Sequence, residues 1–409
     1  MTYNFCILLA VTTVLTPARP FLLAQQTGGS FQEAVSFVSA HSKLILLTTD
    51  PNGAGVAVWP AMQGRVLTST AAGMGGHSFG WYNRDLIASG KAQPHMNAVG
   101  GEDRLWIGPE GGQFSIFFAP GARFDLDHWY TPAPMDTEPF DVVHQSKTAV
   151  SFRKVFQVTN YSGTKFDVQI DREVRLLSSE QSWSNLGIAA VPGIKIVGFE
   201  SENRLTNLSP ISWRKSTGLL SLWVLGQFQA TPTATIILPI RSGSEAELGN
   251  SVKTDYFGSV PEDRIKVRPK AVLFKADANY RSKLGLSPQR AKGKLGSYDP
   301  ENHVLTIVEY TQPTHPAEYV NSAWGIQKEP FKGDVANCYN DGAPAPGKPQ
   351  LGRFYELESS SPAKVLASHA SVEHTQRTIH LVGSEEQLDV VALATLGVHL
   401  EDVRQFNPW

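Results

Sequence analysis

The stretch KFDVQIDREVRLL, residues 165–177, alternates side-chain character at almost every step. Phe166, Val168, Ile170, Val174 and Leu176 fall on one side, and Asp167, Gln169, Asp171, Glu173 and Arg175 on the other. A period of two fits an extended strand with one face in a core and the other in water. Arg172 alone interrupts the apolar face. The preceding run VSFRKVFQVTN, residues 150–160, pairs with it as a hairpin across residues 160–164, where Ser162-Gly163 signals the turn.

The same kind of run recurs along the chain. LILLTTD, VAVWP and RVLTST lie near the start, separated by Asn-Gly, Pro and Gly signals. IKIVGFE, LLSLWVLGQF, ATIILPI, KAVLFKA, VLTIVEY, FYELES and TIHLVG follow further on. At least a dozen strands with few helices predict a mainly β chain, a large antiparallel sandwich or barrel. With 409 residues, 41% apolar and 18% charged, the chain has enough material for a solid core. Pro and Gly are scattered, with no interdomain linker, so residues 30–409 read as one domain with short helices at both ends. Ser30 with Glu33, and Ser384 with Gln387, are capping-box patterns that start those helices. Leu388, Val391, Ala392 and Leu396 give the second an apolar stripe.

Residues 1–24 read as a signal peptide, apolar from Phe5 to Val14 with a cleavage site after Ala24, although no Lys or Arg precedes the run. The expected location is therefore exported, periplasmic or secreted. The apolar run is too short for a membrane span, so no membrane insertion is expected after cleavage. Of the two cysteines only Cys338 lies outside the leader, which leaves no internal disulfide. The net charge is -2 with no basic stripe, which argues against nucleic acid. There is no phosphate-binding loop, no dinucleotide fingerprint, no G-x-S-x-G elbow and no metal-ligand spacing of His or Cys. No cofactor and no metal are expected. The oligomeric state is not readable.

Four places could carry chemistry. Residues 95–118, HMNAVGGEDRLWIGPEGGQFSIFF, gather His95, Asn97, Glu102, Asp103, Arg104, Trp106 and Glu110 around two Gly-Gly pairs and run into an apolar strand, QFSIFF. Acids, amides and Arg suit hydroxyls, and an aromatic plate suits the apolar face of a pyranose. The alternative is a Gly-rich loop whose acids bond backbone amides, with Trp106 in the core. Glu356 and Glu358 are two apart in a strand and leave the same face; mutual repulsion raises the pKa of one, which suits a general acid or base. The alternative there is a solvated strand face. His374, Gln376, Thr378 and His380 share a strand face that looks like a cleft floor. The two imidazoles are about 20 Å apart along the strand and cannot share a metal. They are functional or simply satisfied histidines. Asn337, Tyr339 and Asn340, with Tyr319, Asn321 and Trp324, are residue types that line sugar clefts, and the Asn-Asp-Gly at 340–342 is also an ordinary turn.

The segments GRVLTSTA, FGWYNRDLIASG, GGEDRLWIGPEGGQFSIFF, ENRLTN, TGLLSLWVLGQF and GRFYELESSSPA together resemble the galactose-mutarotase-like (aldose 1-epimerase-like) superfamily, most closely an uncharacterised bacterial exported branch of it. The resemblance implies a β-supersandwich over roughly residues 30–383. In the aldose 1-epimerases a late Glu takes the anomeric hydroxyl proton and a His in a central strand protonates the ring oxygen. Glu356 or Glu358 matches the Glu, and Arg104 matches the Arg. The central strand reads ENRLTN and has no His, so His95, His374 or His380 would have to donate, or none does. Arg104, Trp106, Asn97, Glu102, Asp103, Glu110, Asn337, Tyr339 and His380 are the expected substrate contacts, with a sugar or glycan as ligand. The fold also carries polysaccharide lyases, glycoside hydrolases and non-catalytic sugar binders, so three reaction classes stay open.

Overall fold

The computed structural model describes residues 29–408; the leader expected over residues 1–24 lies outside them. In chain order the elements are α1 (Phe31–Ser39), β1 (Ile45–Thr48), β2 (Gly55–Trp59), β3 (Arg65–Thr70), α2 (Arg84–Ser89), β4 (Arg104–Gly108), β5 (Asp141–Gln145), β6 (Ala149–Thr159), β7 (Lys165–Leu177), α3 (Ser179–Leu186), β8 (Lys195–Asn207), β9 (Ser221–Gln229) and β10 (Thr235–Pro239). They continue with α4 (Glu245–Leu248), β11 (Ile265–Val267), β12 (Ala271–Lys275), β13 (Ser282–Leu286), β14 (Lys294–Asp299), β15 (Val304–Tyr310), β16 (Ala336–Asn340), β17 (Phe354–Ser360), β18 (Ser371–Val382), α5 (Glu385–Leu396) and α6 (Leu400–Phe406).

The strands form three sheets. One has ten strands, ordered β11-β12-β10-β14-β15-β18-β8-β7-β6-β5. A second has five, ordered β13-β16-β17-β9-β4, and a third joins β1, β2 and β3. The ladders between named strands are antiparallel. The chain is therefore mainly β, built on large antiparallel sheets. The β6–β7 hairpin falls where the alternation places it, with Thr159 opposite Lys165. Both capping boxes also form: Ser30 accepts from the Glu33 amide, and Ser384 from that of Gln387. The α5 stripe of Leu388, Val391, Ala392 and Leu396 is buried against the ten-stranded sheet. Each such fully buried Leu or Val stabilises by about 1.5–3 kcal/mol.

One expected strand is absent. QFSIFF, residues 113–118, is a series of turns, with only a single bridge from Phe118 to Trp129. The Ser115 hydroxyl donates to the Glu110 carbonyl, and the Ser115 amide to that of Gly112. These local bonds occupy groups a ladder would need.

The ten- and five-stranded sheets face each other, and the layer between them is partly polar. Arg172, the one break in the β7 apolar face, lies in it wholly buried. Its guanidinium donates to the Asp103 carboxylate at 2.6 Å and to Asn203 Oδ1 at 2.7 Å. An unpaired charge in that place would be strongly destabilising, so the pair explains why the strand tolerates an arginine there.

Candidate functional site

Side-chain alternation sorts the five-stranded sheet into two faces. Leu105 and Ile107 of β4, Tyr355 and Leu357 of β17, and Leu284 and Leu286 of β13 turn inward to the core. The opposite face carries two cross-strand rows. Lys283, Tyr339, Glu356 and Gln227 lie in one; Gly285, Asn337, Glu358, Leu225 and Arg104 in the next. Trp106 pairs with Trp223 beyond them. This face is covered by loops, not by another sheet.

Glu356 is the centre of the face. Its Oε1 accepts from Arg104 Nη2 at 3.0 Å and from Gln227 Nε2 at 2.9 Å. Its Oε2 accepts no hydrogen bond from the described residues, and the side chain keeps 10% of its surface open. Burial pushes its pKa up to about 7; the Arg104 guanidinium works against the rise and the Glu358 carboxylate adds to it. Glu358 is fully buried. Its Oε2 accepts from Trp223 Nε1 at 2.9 Å and from Lys283 Nζ at 3.0 Å, while Oε1 has no partner. Burial alone would lower the Lys283 pKa, but the carboxylates of Glu358, Glu110 and Glu356 outweigh it and hold the ammonium above its usual range. Half-buried Glu110 accepts from Trp324 Nε1 at 3.3 Å. Burial raises its pKa, with Lys283 opposing and Glu358 adding.

Aromatic rings frame these charges. The Arg104 guanidinium lies 4.1 Å from the centre of the Trp106 ring, an arrangement favourable in itself. Trp106 meets Trp223 at 5.4 Å and Trp129 at 6.1 Å, and Trp129 stacks toward Trp324 at 6.4 Å. Several polar atoms here are buried without a protein partner: Arg104 Nε and Trp129 Nε1 as donors, Glu358 Oε1 and Gln227 Oε1 as acceptors. Two cavities lie elsewhere. One of about 210 Å³ is lined by Arg241, Gln312, His315 and Tyr319; one of about 470 Å³ covers the outer face of the ten-stranded sheet around Arg153, Glu173 and Glu202. Neither is lined by Arg104 or Glu356.

The structure divides the residues expected from sequence. Arg104, Trp106, Glu110, Asn337, Tyr339, Glu356 and Glu358 come together on this face. Asn337 donates to Tyr256 Oη at 3.3 Å, and the Tyr339 hydroxyl donates to Asp341 at 2.7 Å. His95 sits half-buried at the side of the aromatic frame, its Nδ1 2.7 Å from the Trp129 carbonyl and its ring stacked on Tyr130 at 4.3 Å. Asn97 is clipped to Asp136, its backbone amide and side-chain amide each donating to the carboxylate. Glu102 and Asp103 point the other way, into the layer between the sheets. Glu102 holds the Ser69 amide and hydroxyl, and His380 Nε2 lies 2.9 Å from it. Asp103 holds Arg172 and, at 2.8 Å, Ser201.

His374 and His380 are corrected by the fold. Their shared face is real, with Gln376 and Thr378 beside them, but it is the inner face of β18 and is fully buried against β17. It is not a cleft floor. The Ser359 hydroxyl donates to Gln376 and lies 2.7 Å from His374 Nε2, and burial pushes the His374 pKa down to about 3. His380 is fixed between Thr306 and Glu102 and stacks on Phe79 at 4.2 Å. Ser359 leaves β17 on the opposite side from Glu356 and Glu358, so neither histidine reaches their face. ENRLTN lies in β8 of the ten-stranded sheet. β17 lies between β16 and β9, and β9 turns Trp223, Leu225 and Gln227 toward the face of the two glutamates, with no histidine.

Sequence reasoning missed Lys283, Gln227, Trp223 and Tyr256. Lys283 had a legible signal, the single charged side chain of β13. The Gly-Gly at 100–101 has a steric role. Both residues have positive φ, and a Cβ on Gly100 would lie 2.2 Å from the Trp81 carbonyl. That close approach brings β4 into the sheet with Arg104 on the site face.

Among the described residues no group of three or more His, Cys, Asp or Glu is arranged to hold a metal ion, and no helix is long and apolar enough to cross a membrane. Cys338 is a buried free thiol.

Comparison with solved structures gives distant likenesses. A proposed aldose 1-epimerase from Escherichia coli K12 is 11% identical with a TM-score of 0.48, over 83% of this chain and 99% of that one. The Slr1438 protein of Synechocystis sp. PCC 6803 is 12% identical at 0.48, over 84% and 96%. A galactose mutarotase-like protein from Lactobacillus casei ATCC 334 is 12% identical at 0.46, over 83% and 100%. Likeness at this level assigns no reaction. No curated protein matches the sequence. A family does match, over residues 29–407, and the chain belongs to it: the family of unknown function DUF6786.

Proposed function

We propose that the face over Glu356 binds a sugar ring and moves a proton at its anomeric centre, in the manner of an aldose 1-epimerase. One observation carries this reading. Buried donors and acceptors without protein partners surround a carboxyl of pKa about 7, inside a frame of tryptophans. A sugar hydroxyl both donates and accepts, and the ring's apolar face stacks on an indole. A purely apolar ligand would leave those polar atoms unpaired at about 1–3 kcal/mol each.

Glu356 Oε2 takes the proton of the anomeric hydroxyl as the C1–O5 bond breaks and O5 takes up a proton, which leaves the open-chain aldehyde. Closure on the other face of C1 reverses each transfer. Arg104 and Gln227 hold Glu356 Oε1, which aims Oε2 at the ligand. Glu110, whose pKa burial also raises, supplies the proton to O5 in place of a histidine. Lys283 stays charged and donates to Glu358 Oε2 beside them. General acid–base transfer of this kind contributes ~10²–10⁴-fold per group.

The lack of a histidine on β9 favours a second reading, a sugar binder without turnover. Anomeric interconversion of a panel of neutral sugars and uronic acids, followed by polarimetry beside a binding titration, separates the two. Catalysis requires turnover that Glu356→Gln abolishes while binding persists. Binding with no turnover leaves the second reading, and no binding at all sinks both.

A further inference from the structure

Beyond Glu356 the same face leads to an exposed aromatic ring. Tyr339 is the cross-strand partner of Glu356. Phe257 meets the Tyr339 ring edge-on at 6.0 Å and keeps 38% of its surface open. Phe257 is therefore one strand and one ring contact away from Glu356. The Arg281 guanidinium lies 3.7 Å from the Phe257 ring centre, and its Nε donates to Tyr339 Oη at 3.3 Å. The two terminal nitrogens of Arg281 bond to none of the described residues. Next to it Tyr280 is 40% exposed. An open aromatic face beside unused guanidinium donors repeats, outside the closed part of the site, the pairing of Trp106 with Arg104.

Exposed aromatics are ordinary singly. This one is tied by Arg281 and Tyr339 to the row that holds Glu356, and beside it Arg281 carries donors that none of the described residues uses. We propose that Phe257 and Arg281 form a second sugar subsite, which takes the next unit of a glycan whose terminal ring lies over Glu356. The inference rests on the sugar-binding reading above and deepens it: the ligand is the end of an oligosaccharide. The ring of that second unit stacks on Phe257, and its hydroxyls accept from Arg281.

The test compares each monosaccharide with its own tetrasaccharide, for instance glucose with maltotetraose and with cellotetraose, and galactose with β-1,4-galactotetraose, by calorimetric titration of the mature chain. The tetrasaccharide of the preferred sugar should bind roughly tenfold tighter than the monosaccharide, the scale of one stacked aromatic contact. In Phe257→Ala, and separately in Arg281→Gln, that ratio should fall toward one, with thermal melts confirming that each variant is folded. Equal affinities in the unaltered protein, or a ratio that both variants retain, would overturn the subsite while leaving the site over Glu356 standing. No binding by any sugar would remove the sugar reading and the subsite together.

Discussion

Arg104 and Glu356, 252 positions apart in the chain, meet at 3.0 Å on the five-stranded sheet, with the guanidinium also 4.1 Å from the centre of the Trp106 ring. The arginine is thus held from two sides and engages only one carboxylate oxygen. A buried ion pair that used both oxygens would be structural; this one leaves Oε2 without a hydrogen bond from the described residues.

Glu356 should make the protein less stable as pH rises. Its folded pKa, about 7, is above its ordinary value of 4.5, so between those values the unfolded chain gives up a proton that the folded chain keeps. Stability falls across that window, by on the order of 2–3 kcal/mol above pH 7. Glu356→Gln keeps the Oε1 acceptor for Arg104 and Gln227 and carries no charge. It should match the unaltered protein at pH 4 and exceed it at pH 8 in urea titrations. Equal midpoints at both pH values would show that the carboxyl is not perturbed.

Turnover, if the catalytic reading holds, should rise with pH through about 7, because Oε2 must be ionised to take the proton. Rates of anomeric interconversion between pH 5 and 8 check this. A flat profile would remove Glu356 as the base.

Arg172 should be intolerant of single replacement. Arg172→Met leaves the Asp103 carboxylate buried without its cation, with only Ser201 donating to it. A loss of about 3–5 kcal/mol is expected. The double variant Asp103→Leu with Arg172→Met should recover most of it, measured as a double-mutant cycle by chemical denaturation. A cost that simply adds across the two sites would show that they do not act as a pair.

His374 should limit acid stability. Its folded pKa of about 3 lies below its ordinary 6.5, so the unfolded chain binds the extra proton and stability falls as pH drops through that window. The loss is about 3 kcal/mol by pH 4. His374→Gln can still donate toward Ser359 and should flatten the slope between pH 6.5 and 4. An unchanged slope would place the acid-sensitive group elsewhere.

Much of the architecture was readable because it rests on local periodicity. The alternation over residues 165–177 sets strand, hairpin and buried face of β7 without knowledge of its neighbours, and Ser384 with Gln387 sets the start of α5. Part of the site was readable for the same reason. Two residues apart in a strand places Glu356 and Glu358 on one face, whatever that face meets. What periodicity cannot say is which face meets what. His374 and His380 alternate just as Glu356 and Glu358 do, yet the first pair turns into the layer between the sheets and the second toward the loops. Adjacent Asp103 and Arg104 likewise part to opposite sides. Pairing of β17 with β9, and of β18 with β8, brings together residues more than a hundred positions apart. Only contacts between elements distant in sequence give Glu356 its Arg104 and Gln227, Glu358 its Lys283, and Arg172 its Asp103. Sequence by itself determined strands and faces, because these follow from backbone geometry; the tertiary structure decided which carboxylates gather on the loop-covered face and which serve the core, because burial and partner charge belong to the packing of distant strands.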